Sequence, residues 1–485
     1  MKPSFMALMC VALAAMGAEP SASVCNVMKF GARADGRTND AEAIQKAIDA
    51  CAQSGGGVVY LPAGNFLSGT IVLKSNITLR LSPGATLWGS RTMADYSPPH
   101  LIYAKEARNV AIEGGGVING NGEAFWDEQM RPTKPRPVPL IYFFRCRDVR
   151  VQDVNIRNAP GPTLTPRECD TVKIRGVSIV NNLRGWNTDG IIPDSSRNVQ
   201  ISDCYIEAGD DCIVIKATNR ESPGGKAPPS ENITVSNCIL TTTCNNLKLG
   251  TETLGDFKNI AFTNCTIFRH PASSRPAFSG VAIEMVDGST LDGVVVSNIT
   301  MRDVGTPIFI RLGNRGRGMK VPVPGVLQNV SISNIVATGS IIASSITGLL
   351  GHPVRNVSLS DINILMYGGE REVRGLDVPE LPSQYPEAKM FGILPSYGLY
   401  GRHVEGLTLR NVRLGWFQED VRPAMILDDA RDVDLDGFKT STVAGNQPVV
   451  WLNDVVRASV RGCLTAAPVE QLVRTTGKTS AISRQ

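Results

Sequence analysis

A motif that recurs ten times constrains this chain more than any other feature. RDVRVQDV (147–154), DTVKIRGV (170–177), RNVQISDC (197–204), ENITVSNC (231–238), KNIAFTNC (258–265), DGVVVSNI (292–299), QNVSISNI (328–335), RNVSLSDI (355–362), EGLTLRNV (405–412) and RDVDLDGF (431–438) share one pattern. Polar residues lead into a branched apolar residue. One variable residue and a second apolar residue follow, usually with Asn, Asp or Gly near the end. The starts step by 23, 27, 34, 27, 34, 36, 27, 50 and 26 residues. Period-2 alternation bounded by turn residues is a strand signal, and a fixed motif at this step reads as one coil of a solenoid. A β-propeller repeats at about 40–50 residues with four strands per blade, which the short steps disfavour. The Leu-x-x-Leu-x-Leu pattern of leucine-rich repeats is absent. The expected fold is therefore all-β, a parallel β-helix, with loops inserted at the turns of the longer coils. The largest insert is the Pro-rich stretch around Leu376 to Pro395. The recurring Asn is expected to be structural, its amides bonding along the coil axis.

Before the repeats, Asn39 or Asp40 can cap a helix from about Ala41 to Ala52. Ile44, Ala47, Ile48 and Cys51 fall on one apolar face. A single amphipathic helix ahead of a long β region suits the open end of a β-helix, which otherwise exposes apolar surface and strand edges. Residues 1–23 read as a secretory signal: Lys2, then the mostly apolar Phe5 to Met16, then small residues from Gly17 to Ser23. The domain reading is a signal peptide at 1–23 and a single β-helix domain at 24–485, secreted or periplasmic. Ten cysteines remain without Cys10. Cys204, Cys238 and Cys265 occupy one repeat position and are expected as stacked thiols, whereas Cys25 with Cys51 is the better disulfide candidate. The net charge of +4 carries no basic run of the kind nucleic-acid binders show. No later stretch is long and apolar enough to span a membrane. No nucleic-acid partner, no membrane partner and a monomeric state are expected.

The second strand of each coil carries the chemistry. In-phase, Ile213, Ile215, Leu247, Leu249, Ile283 and Ile310 point into the core. Val214, Lys248, Ala282, Glu284, Phe309 and Arg311 then point outward on one exposed face. Asp189 in Asn-Thr-Asp-Gly, and Asp210 and Asp211 in Gly-Asp-Asp-Cys, join this strip one coil apart. Three acids at one place raise each other's pKa, and rungs about 4.8 Å apart bring them close enough to cut a glycosidic bond. Each motif alone is also an ordinary turn. No Cys/His spacing resembles a zinc site.

The pair NTDG (187–190) and GDDC (209–212) resembles the family 28 glycoside hydrolases, the polygalacturonase-like pectinases. KFGARADGRTNDAEAIQKAIDAC, GTIVLKSNITLRLSPGATLWGS (69–90) and PSYGLYGRHVEGLTLRNV (395–412) are also similar to that family. The likeness spans roughly residues 25–415. It implies a right-handed β-helix and inverting hydrolysis of pectic galacturonan or rhamnogalacturonan, without metal or other cofactor. By the same resemblance Asp210 is the general acid, and Asp189 and Asp211 hold and activate water.

The chain departs from the family pattern beside these acids. Asn245 stands where Gly-His-Gly places its His. Ala282-Ile283-Glu284 replaces Arg-Ile-Lys, which contacts the uronate carboxylate in the family. The candidate substrate-binding residues are therefore Trp186, Asn187, Asn245, Asn246, Lys248, Glu284 and Arg311. Lys248 and Arg311, with Arg315 and Arg317 beyond them, are the candidate carboxylate readers. A rhamnose-binding subsite, with Glu284 on the hydroxyls, is the other option, and Glu284 pairing with Arg311 is the structural one. Two rival readings remain at this level: a calcium-dependent lyase using the three acids, and a non-catalytic carbohydrate-binding solenoid. The inserts at 90–100, 122–138, 268–280 and 366–395 are placed to wall off one end of a cleft.

Overall fold

The computed structural model describes residues 23–133, 135–219, 225–441 and 447–484. The proposed signal falls almost wholly outside them. The apolar residues of the repeated motif stack in strict register. Val149 pairs in sequence with Val172, Val199, Ile233, Ile260, Val294, Val330, Val357, Leu407, Val433 and Ala458, all in parallel. The molecule is a right-handed parallel β-helix, its inward Val, Ile and Leu columns forming one continuous core. The coil extends beyond the ten repeats in both directions. Ile77–Leu81 and Arg108–Glu113 precede them, and Val456–Arg461 and Ser480–Arg484 follow.

Asparagine has a definite structural task. Asn198, Asn232 and Asn259 sit at φ of 52–57° in the left-handed region, which Asn tolerates better than most residues. Asn232 donates to Asn198 (3.1 Å) and Asn259 to Asn232 (3.1 Å). A second ladder runs through Asn264, Asn298 and Asn334. Each amide thus satisfies its neighbour on the next coil.

The helix, α1, spans Ala41–Gln53 and buries Ile44, Ala47, Ile48 and Cys51 over the first coils. The two residues expected to cap it behave differently. Asp40 makes no side-chain cap; its carboxylate instead accepts from the amides of Arg33 (2.7 Å) and Ala34 (3.0 Å). Asn39 accepts from the Ala41 amide. Cys25 and Cys51 are free thiols and not the expected disulfide; each instead lies 3.8 Å from Ser23 Oγ. Cys204, Cys238 and Cys265 are buried free thiols that stack on one another, as their repeat position requires.

The second strands form a face of their own, running through Ile102–Lys105, Ile141–Phe144, Leu164–Arg167, Ile213–Ala217, Asn245–Thr253, Ser279–Met285 and Thr306–Leu312. Isolated bridges, Leu164 to Ile191 and Ile191 to Ile213, carry the register across the acid-bearing coils. The outward strip is not exposed as the alternation alone suggested. Lys248, Ala282, Glu284, Phe309 and Arg311 are each at most 2% exposed. The reason is the insert before Pro395. It folds back and packs Val378, Ala388, Phe391 and Leu394 on Ala282, Phe309 and Tyr400, making a second apolar cluster outside the coil.

Candidate active site

Asp189 lies two residues before Ile191, and Asp211 two residues before Ile213, so the bridged rungs put both acids in one column. Gly190 donates to the Asp211 carbonyl (2.9 Å), locking the two turns together. Asn245 follows in the same column and Ser279 after it. Asp210 stands beside the column at the corner. The Asp211 amide donates to its Oδ1 (2.9 Å), and Asn187 Nδ2 donates to its Oδ2 (3.4 Å). Asn187 reaches it from a left-handed turn (φ 56°).

The three acids have different surroundings. Asp189 and Asp211 are each 4% exposed, whereas Asp210 faces an open cleft of about 490 Å³. Asp211 Oδ1 accepts from Asn245 N (3.1 Å) and Nδ2 (2.8 Å), and its Oδ2 is 3.3 Å from Lys248 Nζ. Asp189 Oδ2 is 3.4 Å from Lys216 Nζ. Burial raises the Asp189 carboxyl, with Lys216 opposing that rise. Burial, then the charges of Asp189 and Asp211, push Asp210 up to about 7. A carboxyl that keeps its proton near neutral pH, beside two carboxylates on cationic partners, can supply a proton while the others bind and polarise water.

Trp186 is 55% exposed and lines the cleft with Asn187 and Asp210. Asn245 is fully buried and serves Asp211. Asn246 is also buried and donates to the Ser279 carbonyl (3.1 Å). Lys248 lies between Asp211 and Glu284, 3.3 Å from each. Glu284 is fully buried, makes this ion pair without hydrogen-bond geometry, and is pushed up to about 8 by burial. Neither side chain of that pair opens onto the cleft. Arg311 faces the insert. It donates to the carbonyls of Gly348 (3.2 Å), Glu380 (2.7 Å) and Leu381 (3.2 Å), so its guanidinium is occupied and does not pair with Glu284. Arg315 is held by Asp287.

Other cations meet the acids. Lys216 bridges Asp189 and Glu252, the latter at 3.5 Å. Arg136, from the 122–138 insert, donates to Asn187 Oδ1 (3.3 Å) and to the Trp186 carbonyl (3.1 Å). Arg184 and Arg275 line the cleft and have no ion pair among the described residues. The inserts build its walls: Gln129 comes from one, Arg275 and Phe278 from another, and Glu387 from the insert before Pro395.

One group in the cleft has the makings of a metal site, Asp210, Asp211 and Cys244, whose ligand atoms lie within 4.8 Å of one another. The donor set does not suit calcium, which takes six to eight oxygens. Burial raises the Cys244 thiol well above its usual range, so it does not ionise readily as a soft-metal ligand.

The sequence matches the profile of the glycosyl hydrolases family 28 over residues 51–380. It is 24% identical over 380 residues to a probable polygalacturonase of Vitis vinifera, covering 72% of this chain and 75% of that one. It is 26% identical over 399 residues to an exo-poly-alpha-D-galacturonosidase of Dickeya chrysanthemi, covering 67% of this chain and 64% of that one. A hyperthermoactive exopolygalacturonase from Thermotoga maritima superposes with a TM-score of 0.60 at 26% identity, over 71% of this chain and 87% of that one. The match to the family profile spans well over half of the chain, and the coil, the acid column and these relatives agree with it: the protein is a glycoside hydrolase and belongs to family 28.

Proposed function

We propose that the protein is an exported hydrolase of pectic galacturonan or rhamnogalacturonan chains, acting with inversion. Asp210 is the general acid, and Asp189 and Asp211 bind and activate the water. Asp210 gives its proton to the glycosidic oxygen as the bond from that oxygen to the anomeric carbon breaks. Water attacks the anomeric carbon from the opposite face and yields its proton to the carboxylate pair. The leaving sugar departs as an alcohol, and the new reducing end has the opposite anomeric configuration. Lys248 and Asn245 orient Asp211, and Lys216 orients Asp189. Asn187 holds Asp210, and Trp186 offers a sugar face. Arg184 and Arg275 are the cleft cations placed to meet a uronate.

The observation that carries this reading is the raised carboxyl of Asp210 at the cleft mouth, backed by two buried acids. The polygalacturonase relatives supply the substrate class. The test is proton NMR of fresh digests of galacturonan and rhamnogalacturonan oligosaccharides by the wild type and by Asp210→Asn. The wild type is expected to release inverted products and the variant almost none. Retained configuration, or undiminished turnover by Asp210→Asn, sinks the assignment.

A further inference from the structure

A second cavity, of about 190 Å³, lies on the same strip over the earlier coils. Arg167, Asp194 and Lys216 line it at matching positions on three successive rungs. Lys216 connects it to the catalytic acids through Asp189. With rungs spaced about 4.8 Å apart, Arg167 stands roughly 10 Å along the axis from the rung of Asp211.

Arg167 is the unusual group here. It is 6% exposed, yet its Nε and Nη2 donate to nothing. Its Nε is 3.6 Å from Asp194 and 3.8 Å from Glu168, which are ion-pair distances without hydrogen bonds. Both carboxylates are engaged elsewhere. Asp194 accepts from the Thr218 amide (2.8 Å) and hydroxyl (2.5 Å), and Glu168 accepts from Arg145 Nε (2.8 Å). Thr165 Oγ1, also lining the cavity, has no partner either. Buried donors of this kind are rarely left unmet, so a guanidinium with open positions in a cavity wall points to a ligand. Lys216 is already shared between Asp189 and Glu252. Burial lowers the pKa of His100, with its hydrogen bond to the Pro139 carbonyl opposing that fall. Arg167 has acids within ion-pair distance, but of the cations lining this cavity it is the one whose buried donors lack hydrogen-bond partners. Tyr142 completes the wall. Its ring packs 4.8 Å from that of His100 and 5.9 Å from that of Phe144, a rigid platform of the kind sugar rings stack on.

We infer that this cavity is a sugar subsite away from the cleaved bond, in which Arg167 and Thr165 read the carboxylate of a uronate unit while Tyr142 supports its ring. The planar fork of Arg matches a carboxylate with two parallel bonds. The subsite rests on the proposed action on pectic chains and adds to it. It gives the protein a carboxylate reader at a different place from Lys248 and Arg311, both of which are occupied.

The test uses the full-length chain carrying Asp210→Asn, so that ligands are bound and not cut. Calorimetry measures affinity for tetragalacturonate, for its full methyl ester and for the carboxyl-reduced neutral oligosaccharide. A charge-assisted contact at one buried site is expected to favour the acid over the ester by roughly 10- to 100-fold. Adding Arg167→Gln is expected to lower that ratio by about tenfold, Arg184 and Arg275 in the cleft keeping the remainder, and Arg167→Lys to leave an intermediate ratio, since a point charge replaces a fork. Thermal melts verify that each variant is folded. If Arg167→Gln does not fold, the Lys variant decides by the same ratio. A ratio unchanged in the folded Arg167 variants, or no preference for the acid in their parent, overturns the subsite. Failure of the wild type to hydrolyse any pectic oligosaccharide overturns the proposed function instead, and the binding ratio separates the two results.

Discussion

At the scale of single residues, the site works by giving three similar carboxyl groups different environments. Burial raises both Asp189 and Asp210, and Asp210, pushed up to about 7, is the one that faces the cleft. As the proton donor it is active below that value, so kcat/KM is expected to fall about tenfold per pH unit on the alkaline side of an apparent pKa near 7. The same shift has a stability consequence. A carboxyl with its folded pKa above its unfolded one favours the folded state fully at acid pH, and this advantage is lost as pH rises through the folded value. Asp210→Asn is therefore expected to raise Tm relative to wild type more at pH 8 than at pH 4, and calorimetric melts at both pH values check this. Glu284 and Lys248 make a contrasting pair. Glu284 is pushed up to about 8, so Glu284→Gln at pH 7 is expected to cost less than about 1 kcal/mol. Lys248→Met strands the buried Asp211 and is expected to cost about 3–5 kcal/mol and to abolish turnover, as denaturant melts and assays would show. The acids were legible as turn motifs one coil apart. Lys216 was one residue past the strand as read: the alternation through Ile213, Val214 and Ile215 turns it outward. Arg136 was not legible, because it comes from an insert and meets Asn187 across 51 positions with no period to place it.

At the scale of elements, the inserts decide what the strip offers. The alternation correctly turned Lys248, Glu284 and Arg311 away from the core, but it carried no information about a lid folding back from 70 residues further along. That lid is held by backbone carbonyls. Arg311 receives those of Glu380 and Leu381, and Arg402 those of Val378 and Pro379, the latter at 3.0 Å. Arg311→Ala leaves these carbonyls without their donor. It is expected to speed proteolytic nicking of the 376–395 segment several-fold while the coil keeps its far-ultraviolet spectrum; limited proteolysis followed by mass spectrometry reads both. The α1 helix was legible in full because its four buried residues repeat at helical spacing. Of the two residues expected to cap it, Asn39 takes the Ala41 amide, whereas Asp40 bonds backward to Arg33 and Ala34, a loop contact that no helix rule foresees.

At the scale of the whole molecule, the repeat gave the architecture, since each coil contacts chiefly its two neighbours and the motif restates that contact ten times. The first and last coils lie inside the β-helix domain expected at 24–485 but outside the ten motifs, because they have drifted from the motif while keeping its register. A solenoid also has ends, and Ile44→Asp in α1 places a charge in a fully buried position over the first of them. It is expected to give aggregation on expression, measured by size-exclusion chromatography. The folded-back insert has a further consequence. It covers the strip from Lys248 to Arg311, which we propose leaves a bound chain room to run in one direction only. Such an enzyme senses how many termini a sample contains and is indifferent to its mass. Shearing a pectic polymer into tenfold more pieces at constant weight is then expected to speed initial sugar release nearly in proportion, and a reducing-end assay on size-fractionated substrate would show it.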